Sequence, residues 1–459
     1  MVKIRIELLG CPSVTRGGKP VPPFKSRKVL GLVAYLALNP EPHSRSRLAG
    51  ILWSDTSEQQ ALANLRFALW NLQRVLGVSL VHAERTSIEL RATIRRDGVF
   101  DTDEFFDALR AAESHPAESP AAIAALERAV TLYRGDLLAG WDFDGLFDEW
   151  LQAQRASLRE AVLDALYRLA NYYTAQRRLP QAIAATRRLL GLDPWREQAH
   201  RQLMLLLARD GQHNAALAQY ETCRHLLQTE LGVAPMPETT ALAERIRSAR
   251  NLPRHNVPLQ LTPFIGRETE LAEIARLLRN ADCRLLTLAG IGGIGKTRLA
   301  MRAAIESADE FLHGVCFVPL AAVTHLAALM ATLAGQLGCS LEGTRDVRAR
   351  LVDFLRDKEM LIVLDNFEQL RDHSDVIIEI LKHAPLVKVM VTSRERLNIS
   401  AEWVFQVEGL EYPKYEVGGM KYEERDSDLI LHTSYLESYS AVQLFLQSAR
   451  HVTANFPIE

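Results

Sequence analysis

Residues 290–297 read Gly-Ile-Gly-Gly-Ile-Gly-Lys-Thr, so Gly290 is followed, after four intervening residues, by Gly295, Lys296 and Thr297. That spacing describes a phosphate-cradling loop, in which glycines let the backbone approach an anion, a lysine neutralises it and a hydroxyl holds a divalent cation. "CRLLTLAG" before the loop reads as a strand and "KTRLAMRAAIE" after it as a helix, so the N–H groups of Gly293 to Lys296 would wrap phosphate at a helix N-terminus. Lys296 is then expected on the β- and γ-phosphate oxygens and Thr297 on Mg²⁺. Ile294 inside the loop and Arg298 just beyond it complete the stretch. Downstream, "EMLIVLDNFEQL" reads as a buried strand ending in Asp365, a carboxylate suited to Mg²⁺. "VKVMVTSRERL" reads as another, delivering Arg394 towards a γ-phosphate.

A second chemistry lies at the other end of the chain. Residues 1–96 hold fifteen Lys/Arg against six Asp/Glu, a charge of +9 within a chain whose total is −2. A basic segment on an otherwise acidic chain is the electrostatic footprint of nucleic-acid binding. Within it, Ser57 and Gln60 are spaced as a capping box and open a long helix that stops at Gly77. Leu62, Leu65, Leu69, Leu72 and Leu76 form its apolar stripe. The opposite face presents Gln60, Asn64, Phe67, Asn71 and Arg74, with Arg66 and Trp70 on the flanks. Asn and Gln suit adenine, Arg suits guanine or phosphate, and an aromatic ring can meet a thymine methyl. Arg45 and Arg47 on a preceding short helix would grip phosphates, and Arg85 would sit at the tip of a hairpin wing over 80–91.

The elements that must position these groups follow from periodicity. "VKIRIELLG" alternates like a strand, a Gly-Gly turn follows, and "SRKVLGLVAYLALNP" is a helix ending at Asn39-Pro40. Residues 1–96 therefore read as a winged helix-turn-helix of α+β type. Residues 97–250 are helical in pattern with a 34-residue period: Ala182, Ile183 and Ala184 are matched by Ala216, Leu217 and Ala218, and Leu169 by Leu203. That is the signature of an all-α tetratricopeptide-like repeat domain. The Pro-rich, aperiodic residues 251–263 read as a linker. Strands near 285–289, 314–318, 360–364, 387–392 and 404–408, with helical patterns between, give an α/β P-loop NTPase core with a parallel sheet over 264–410. Residues 411–459 read as a polar segment and one amphipathic helix, "SAVQLFLQSARHV". At 459 residues a multidomain chain is expected. No apolar run approaches the roughly 18 residues of a membrane span. Five cysteines without a CxxC pair point to reduced thiols and a cytoplasmic location.

The order of parts resembles a known family. A winged helix followed by "FDTDEFFDAL", "LYRGDLLAG" and helix pairs ending in "LLQTELGVAPMPET" is similar to the bacterial SARP-type transcriptional activators, whose second part is the bacterial transcriptional activator domain. The resemblance implies binding to double-stranded promoter repeats, self-association on DNA and recruitment of RNA polymerase. "FIGRE", "GIGGIGKT", "LIVLDN" and "TSR" together resemble the STAND class of regulatory NTPases, related to NB-ARC and AAA+ proteins. By that resemblance Ile265 and Gly266 line the adenine of ATP or ADP, Arg267 sits near the nucleotide, and Arg394 is a sensor arginine. Hydrolysing relatives place a second acid directly after the Mg²⁺ carboxylate, where this chain has Asn366; Glu368 falls on the wrong face if the strand continues. Slow hydrolysis at most is expected. The family's lids and sensor repeats are not found after "VFQVEGL", so either a truncated form or a nucleotide held with less enclosure is expected. The leading expectation is a transcriptional activator gated by ATP/ADP binding. An active ATPase working on DNA or protein, and a nucleotide-gated protein scaffold, are the alternatives.

Overall fold

The computed structural model describes residues 4–91, 99–341, 346–412 and 439–452. The chain folds as two compact units, Met1–Leu206 with Gln219–Pro235 and Leu207–Ala218 with Met236–Glu459.

The first unit opens with an antiparallel sheet of β1 (Ile4–Glu7), β2 (Ser13–Arg16) and β3 (Lys19–Pro20), turning at Gly17-Gly18. Helix α1 (Arg27–Leu38) starts where the Ser26 side chain accepts from Lys28 N and ends at Asn39, ahead of Pro40. Strand β4 (His43–Ser44) leads into α2 (Arg45–Leu52), whose first turn is capped by the Ser44 hydroxyl accepting from Arg47 N. Ser57 caps α3 (Glu58–Leu76), and Gly77 closes it with φ of 67°, the left-handed conformation that glycine adopts without strain. The wing is β5 (Val81–Ala83) and β6 (Ser87–Leu90), with β4 as third strand in the order β4-β6-β5. The capping box is half made: Ser57 accepts from Gln60 N, but the Gln60 side chain donates to Asn64 instead of returning to the cap.

Helices α4 (Asp101–Ser114), α5 (Pro120–Leu132), α6 (Gly145–Ala175), α7 (Leu179–Leu192), α8 (Glu197–Arg209) and α9 (His213–Leu226) follow. The expected boundary at residue 96 does not separate two bodies, because β1 continues into the helical part: Ile6 N donates to Val99 O at 2.7 Å. Asp101, the first residue of α4, is fully buried and accepts from Leu8 N (2.8 Å), Leu9 N (3.0 Å) and Arg134 (2.8 Å). A winged-helix sheet is small, and sharing its outer face with helices supplies the core it lacks alone.

The second unit is built on a parallel sheet in the order β11-β7-β10-β9-β8, from β7 (Leu285–Ala289), β8 (Val315–Pro319), β9 (Met360–Asp365), β10 (Val387–Ser393) and β11 (Glu402–Gln406). The five expected strands are all present. Every residue of β7 and β9 is buried, as interior strands of a sheet covered on both faces require. Period-two alternation splits them: Leu361, Val363 and Leu288 pack under α11 (Glu268–Arg279) and α12 (Lys296–Ser307). Ile362, Leu364, Val389 and Val391 pack under α13 (Leu326–Leu337), α14 (Val347–Leu355) and α15 (Asp375–His383). The expected terminal helix is present as Ser440–Val452, while most of the polar stretch before it lies outside the described residues. Among the described residues no helix is long and apolar enough to cross a membrane.

Residues 251–263 depart from the expected linker. His255 forms a parallel bridge with Val315, Val315 N donates to Arg254 O at 2.9 Å, and the Asn256 amide exchanges two hydrogen bonds with the Phe317 backbone. A segment without apolar periodicity can still pair through its backbone, which the sequence pattern does not register. Helix α10 (Pro237–Ala249), expected within the repeat domain, belongs to this unit too. Its Arg245, with Arg209, meets Glu359, and its Ser248 meets Nε2 of the buried His313. Glu359 N donates to His313 Nδ1 at 3.0 Å. Burial, and the nearby Lys358, push the His313 pKa down from 6.5 to about 4. The unfolded chain therefore takes up this proton near pH 6.5 and the folded chain only near pH 4, so stability present above pH 6.5 drains away as pH falls. Between pH 7.5 and 5 the loss at this site should be about 2 kcal/mol, read as a shift in denaturation midpoint. His313→Gln should flatten that dependence.

Candidate nucleotide and nucleic-acid sites

The phosphate loop leaves β7, an interior strand flanked by β11 and β10, and runs into α12. Ligands of open parallel sheets sit beyond the carboxyl ends of such strands, where connections diverge to opposite sides. Gly293 (φ 79°) and Gly295 (φ 97°) hold conformations that side-chain-bearing residues rarely adopt, and a Cβ on Gly290 would stand 2.8 Å from Val407 O. Lys296 is buried inside the loop, and its ammonium donates to Gly290 O (2.7 Å) and Ile291 O (2.9 Å). Burial pulls its pKa down, and the neighbouring Glu368 works against that. Thr297 Oγ1 donates to Asp365 Oδ1 at 2.7 Å, and Thr392 Oγ1 donates to the same oxygen at 2.7 Å. A hydroxyl and a carboxylate in contact fit Mg²⁺, which takes one or two protein oxygens and fills its sphere with water and phosphate. Among the described residues no group of three or more His, Cys, Asp or Glu could form a metal cage.

Other expected members of the site are placed differently. Arg267 is buried with φ of 69°, and its guanidinium is committed to Glu270 (3.1 Å), Ile294 O (2.8 Å) and Glu408 O (3.0 Å). It sits beside the loop, as expected of a residue near the nucleotide, with three of its N–H donors engaged by protein oxygens. Arg298 turns away, donating to Thr262 O and Pro263 O. Both guanidiniums are thus held by backbone carbonyls of other segments. Ile265 and Gly266 are half-buried, and a Cβ on Gly266 would strike Ser440 Oγ at 2.6 Å, so the start of the terminal helix packs there. Arg394 lies beside the loop, its Cζ 4.0 Å from where a Cβ on Gly292 would be, and pairs with Glu368 at 3.2 Å. Glu368, set aside on the sequence, is therefore part of this neighbourhood.

In the first unit, α3 exposes Gln60, Arg66, Phe67, Trp70, Gln73 and Arg74, with Asn64 half-buried. Phe67 and Trp70 are each 50% exposed with ring centroids 5.6 Å apart, and the Arg74 guanidinium stacks 5.0 Å over Trp70. The stripe that packs inward is Ala61, Leu65, Ala68, Leu72 and Leu76; Leu62 and Leu69 are only half-buried. This small rotation carries Asn71 inside. It is 3% exposed and its Oδ1 accepts from Lys25 N at 3.1 Å, so it leaves the DNA-facing set. Arg45 Nε donates to Glu84 O, tying α2 to the wing, while Arg47 and Arg85 are exposed. A groove between α3 and the wing is lined by Arg45, Arg66, Trp70, Gln73, His82 and Arg91. His82 and Arg91 were not singled out on the sequence; only the two-sided geometry of helix and wing reveals them.

Two family models match the chain: the bacterial transcriptional activator domain over residues 100–247 and the NB-ARC domain over residues 267–409. This is the architecture of the SARP-family regulators. Regulatory protein AfsR of Streptomyces coelicolor is 28% identical over 398 residues, covering 79% of this chain and 39% of the relative. AfsR of Streptomyces griseus is 28% identical over 436 residues, covering 86% and 42%. The chain thus spans well under half the length of those relatives. The solved structure of Mycobacterium tuberculosis EmbR in complex with a low affinity phosphopeptide is 24% identical, covers 55% of this chain and 67% of that one, and superposes at a TM-score of 0.43.

Proposed function

We propose that this chain is a promoter-binding transcriptional activator whose DNA affinity is set by ATP or ADP held with Mg²⁺ at the P-loop. The observation that carries the reading is the convergence of Lys296, Thr297, Asp365 and Arg394 at the carboxyl ends of β7, β9 and β10, in a chain that also exposes a basic, aromatic recognition face. A coupling of about 1–3 kcal/mol between the two sites is enough for a 5- to 150-fold switch. Turnover below about 1 s⁻¹ suits a switch rather than a motor. Helices α6 to α9 serve as tetratricopeptide-like pairs for protein contacts, with RNA polymerase and further copies of the chain as the partners that activation on promoter repeats calls for. The place of action is the cytoplasm, where DNA and ATP meet.

Mobility shift with genomic fragments, with and without ATP or ADP, tests this. Asn64→Ala with Arg74→Ala should weaken specific binding roughly 30-fold or more, since each base contact carries about 1–3 kcal/mol. Binding that is indifferent to both nucleotide and these substitutions would remove the proposal.

A further inference from the structure

We propose that Glu368 is the carboxylate that accepts the proton of the attacking water in ATP hydrolysis, and that Arg394 holds it in reserve; this rests on reading the P-loop as a nucleotide site. Strand β9 stops at Asp365. Asn366 then takes φ 63°, ψ 53°, a left-handed conformation that asparagine tolerates better than most residues, and the chain folds into a 3₁₀ turn over Phe367–His373. In such a turn residues three apart eclipse one another. Phe367 and Leu370 are both fully buried, which fixes the turn and leaves Glu368 and Arg371 together on the adjacent face. Each of these meets one of two consecutive residues after β10: Glu368 pairs with Arg394 at 3.2 Å and Arg371 with Glu395 at 2.7 Å. The two pairs have opposite polarity, so a shifted register would set like charges against each other. Asn366 thus does not merely lack an acid. It is the hinge that turns the next acid back towards the loop.

Three observations make Glu368 more than a latch. One oxygen takes Arg394, while Oε2 is buried without a hydrogen-bond partner among the described residues, an acceptor whose desolvation is otherwise unrecovered. Of the charged groups acting on the Lys296 ammonium, Glu368 acts most strongly, ahead of Arg394 and Asp365. Arg394 itself reaches the Gly292 segment of the loop and its side chain is 68% exposed, free to change partner. When a γ-phosphate draws Arg394 away, both Glu368 oxygens become available. The water oxygen then bonds to the γ-phosphorus, and the bond from that phosphorus to the β,γ-bridging oxygen breaks with its electron pair leaving on ADP. The water proton passes to Glu368, which later releases it to solvent. Hydrolysis so gated limits the lifetime of the ATP-bound state.

Single-turnover release of labelled phosphate and equilibrium titration with fluorescent ATP and ADP analogues, on the full chain, decide the matter. Glu368→Gln should slow phosphate release about 100-fold or more while both affinities stay within about 3-fold of wild type. Glu368→Asp, which keeps the charge one methylene short, should fall between them. Arg394→Ala should weaken ATP about 10-fold and leave ADP unchanged, as expected of a charge-assisted contact to the γ-phosphate alone. Unaltered phosphate release in Glu368→Gln, or a wild-type chain that binds ATP and releases no phosphate, overturns the role of Glu368. Equal ATP and ADP losses in Arg394→Ala overturn the reserve. A wild-type chain with no affinity for either nucleotide instead refutes the nucleotide reading on which both depend.

Discussion

Replacing Lys296 by alanine should weaken ATP and ADP binding by about 100-fold or more while leaving the melting temperature of the ligand-free protein nearly unchanged. The ammonium is buried in the loop and donates to two neutral carbonyls, Gly290 O and Ile291 O. Among the described residues no carboxylate hydrogen-bonds to it, and burial works against its charge. The fold therefore gains little from holding a cation there, and its removal costs little. A bound polyphosphate changes the balance, because charge-assisted hydrogen bonds are worth about 1.5–3 kcal/mol each and two of them exceed a hundredfold in affinity. Thermal shift reads the same quantity independently: nucleotide at 100 times its dissociation constant should stabilise the wild type by about 2.7 kcal/mol, and the variant hardly at all. Equal affinity in both proteins would mean that the loop does not hold the phosphates.

The loop was readable in the sequence because its determinants are local. Glycines at fixed offsets, a lysine and a hydroxyl lie within eight residues, and the flanking strand and helix declare themselves by period. What could not be read depends on partners far along the chain. Asn71 shares the polar face of α3 by helical arithmetic, but Lys25, 46 residues earlier, claims it. Arg267 lies beside the loop as expected, but the Glu408 carbonyl that anchors it, 141 residues later, has no signature in the sequence. Glu368 was misplaced for a different reason. Extending β9 by three residues puts its side chain on the wrong face, and only the left-handed Asn366 ends the strand in time. An Asn directly after a buried strand and before Phe-x-x-Leu was the available signal, since asparagine visits that conformation several-fold more readily than most residues. Residues 253–257 show the converse limit: pairing through backbone and a single Asn amide leaves no apolar pattern to find.

Asp101→Ala should destabilise the first unit by about 3–5 kcal/mol, enough to unfold a marginal domain, although the residue belongs to neither proposed site. The side chain is fully buried, and burial pushes its carboxyl above the usual range despite three donors. Those donors are the reason for its cost on removal. Leu8 N and Leu9 N come from the segment just after β1 and have no other acceptor among the described residues, while Arg134, just after α5, reaches the second oxygen. Truncation leaves two buried N–H groups unsatisfied, at about 1–3 kcal/mol each, and strips Arg134 of one of its two carboxylates. Asp101→Asn is the sharper probe. One amide oxygen can still accept, but the amide nitrogen would face a donor, so it should recover only part of the loss. Because the carboxylate joins the winged-helix sheet to α4 and α5, both variants should expose the two parts together. Denaturation followed by Trp53 and Trp141 fluorescence, one in each part, should give a single shifted transition. Two separate transitions in Asp101→Ala would show that the winged helix folds without the helices behind it.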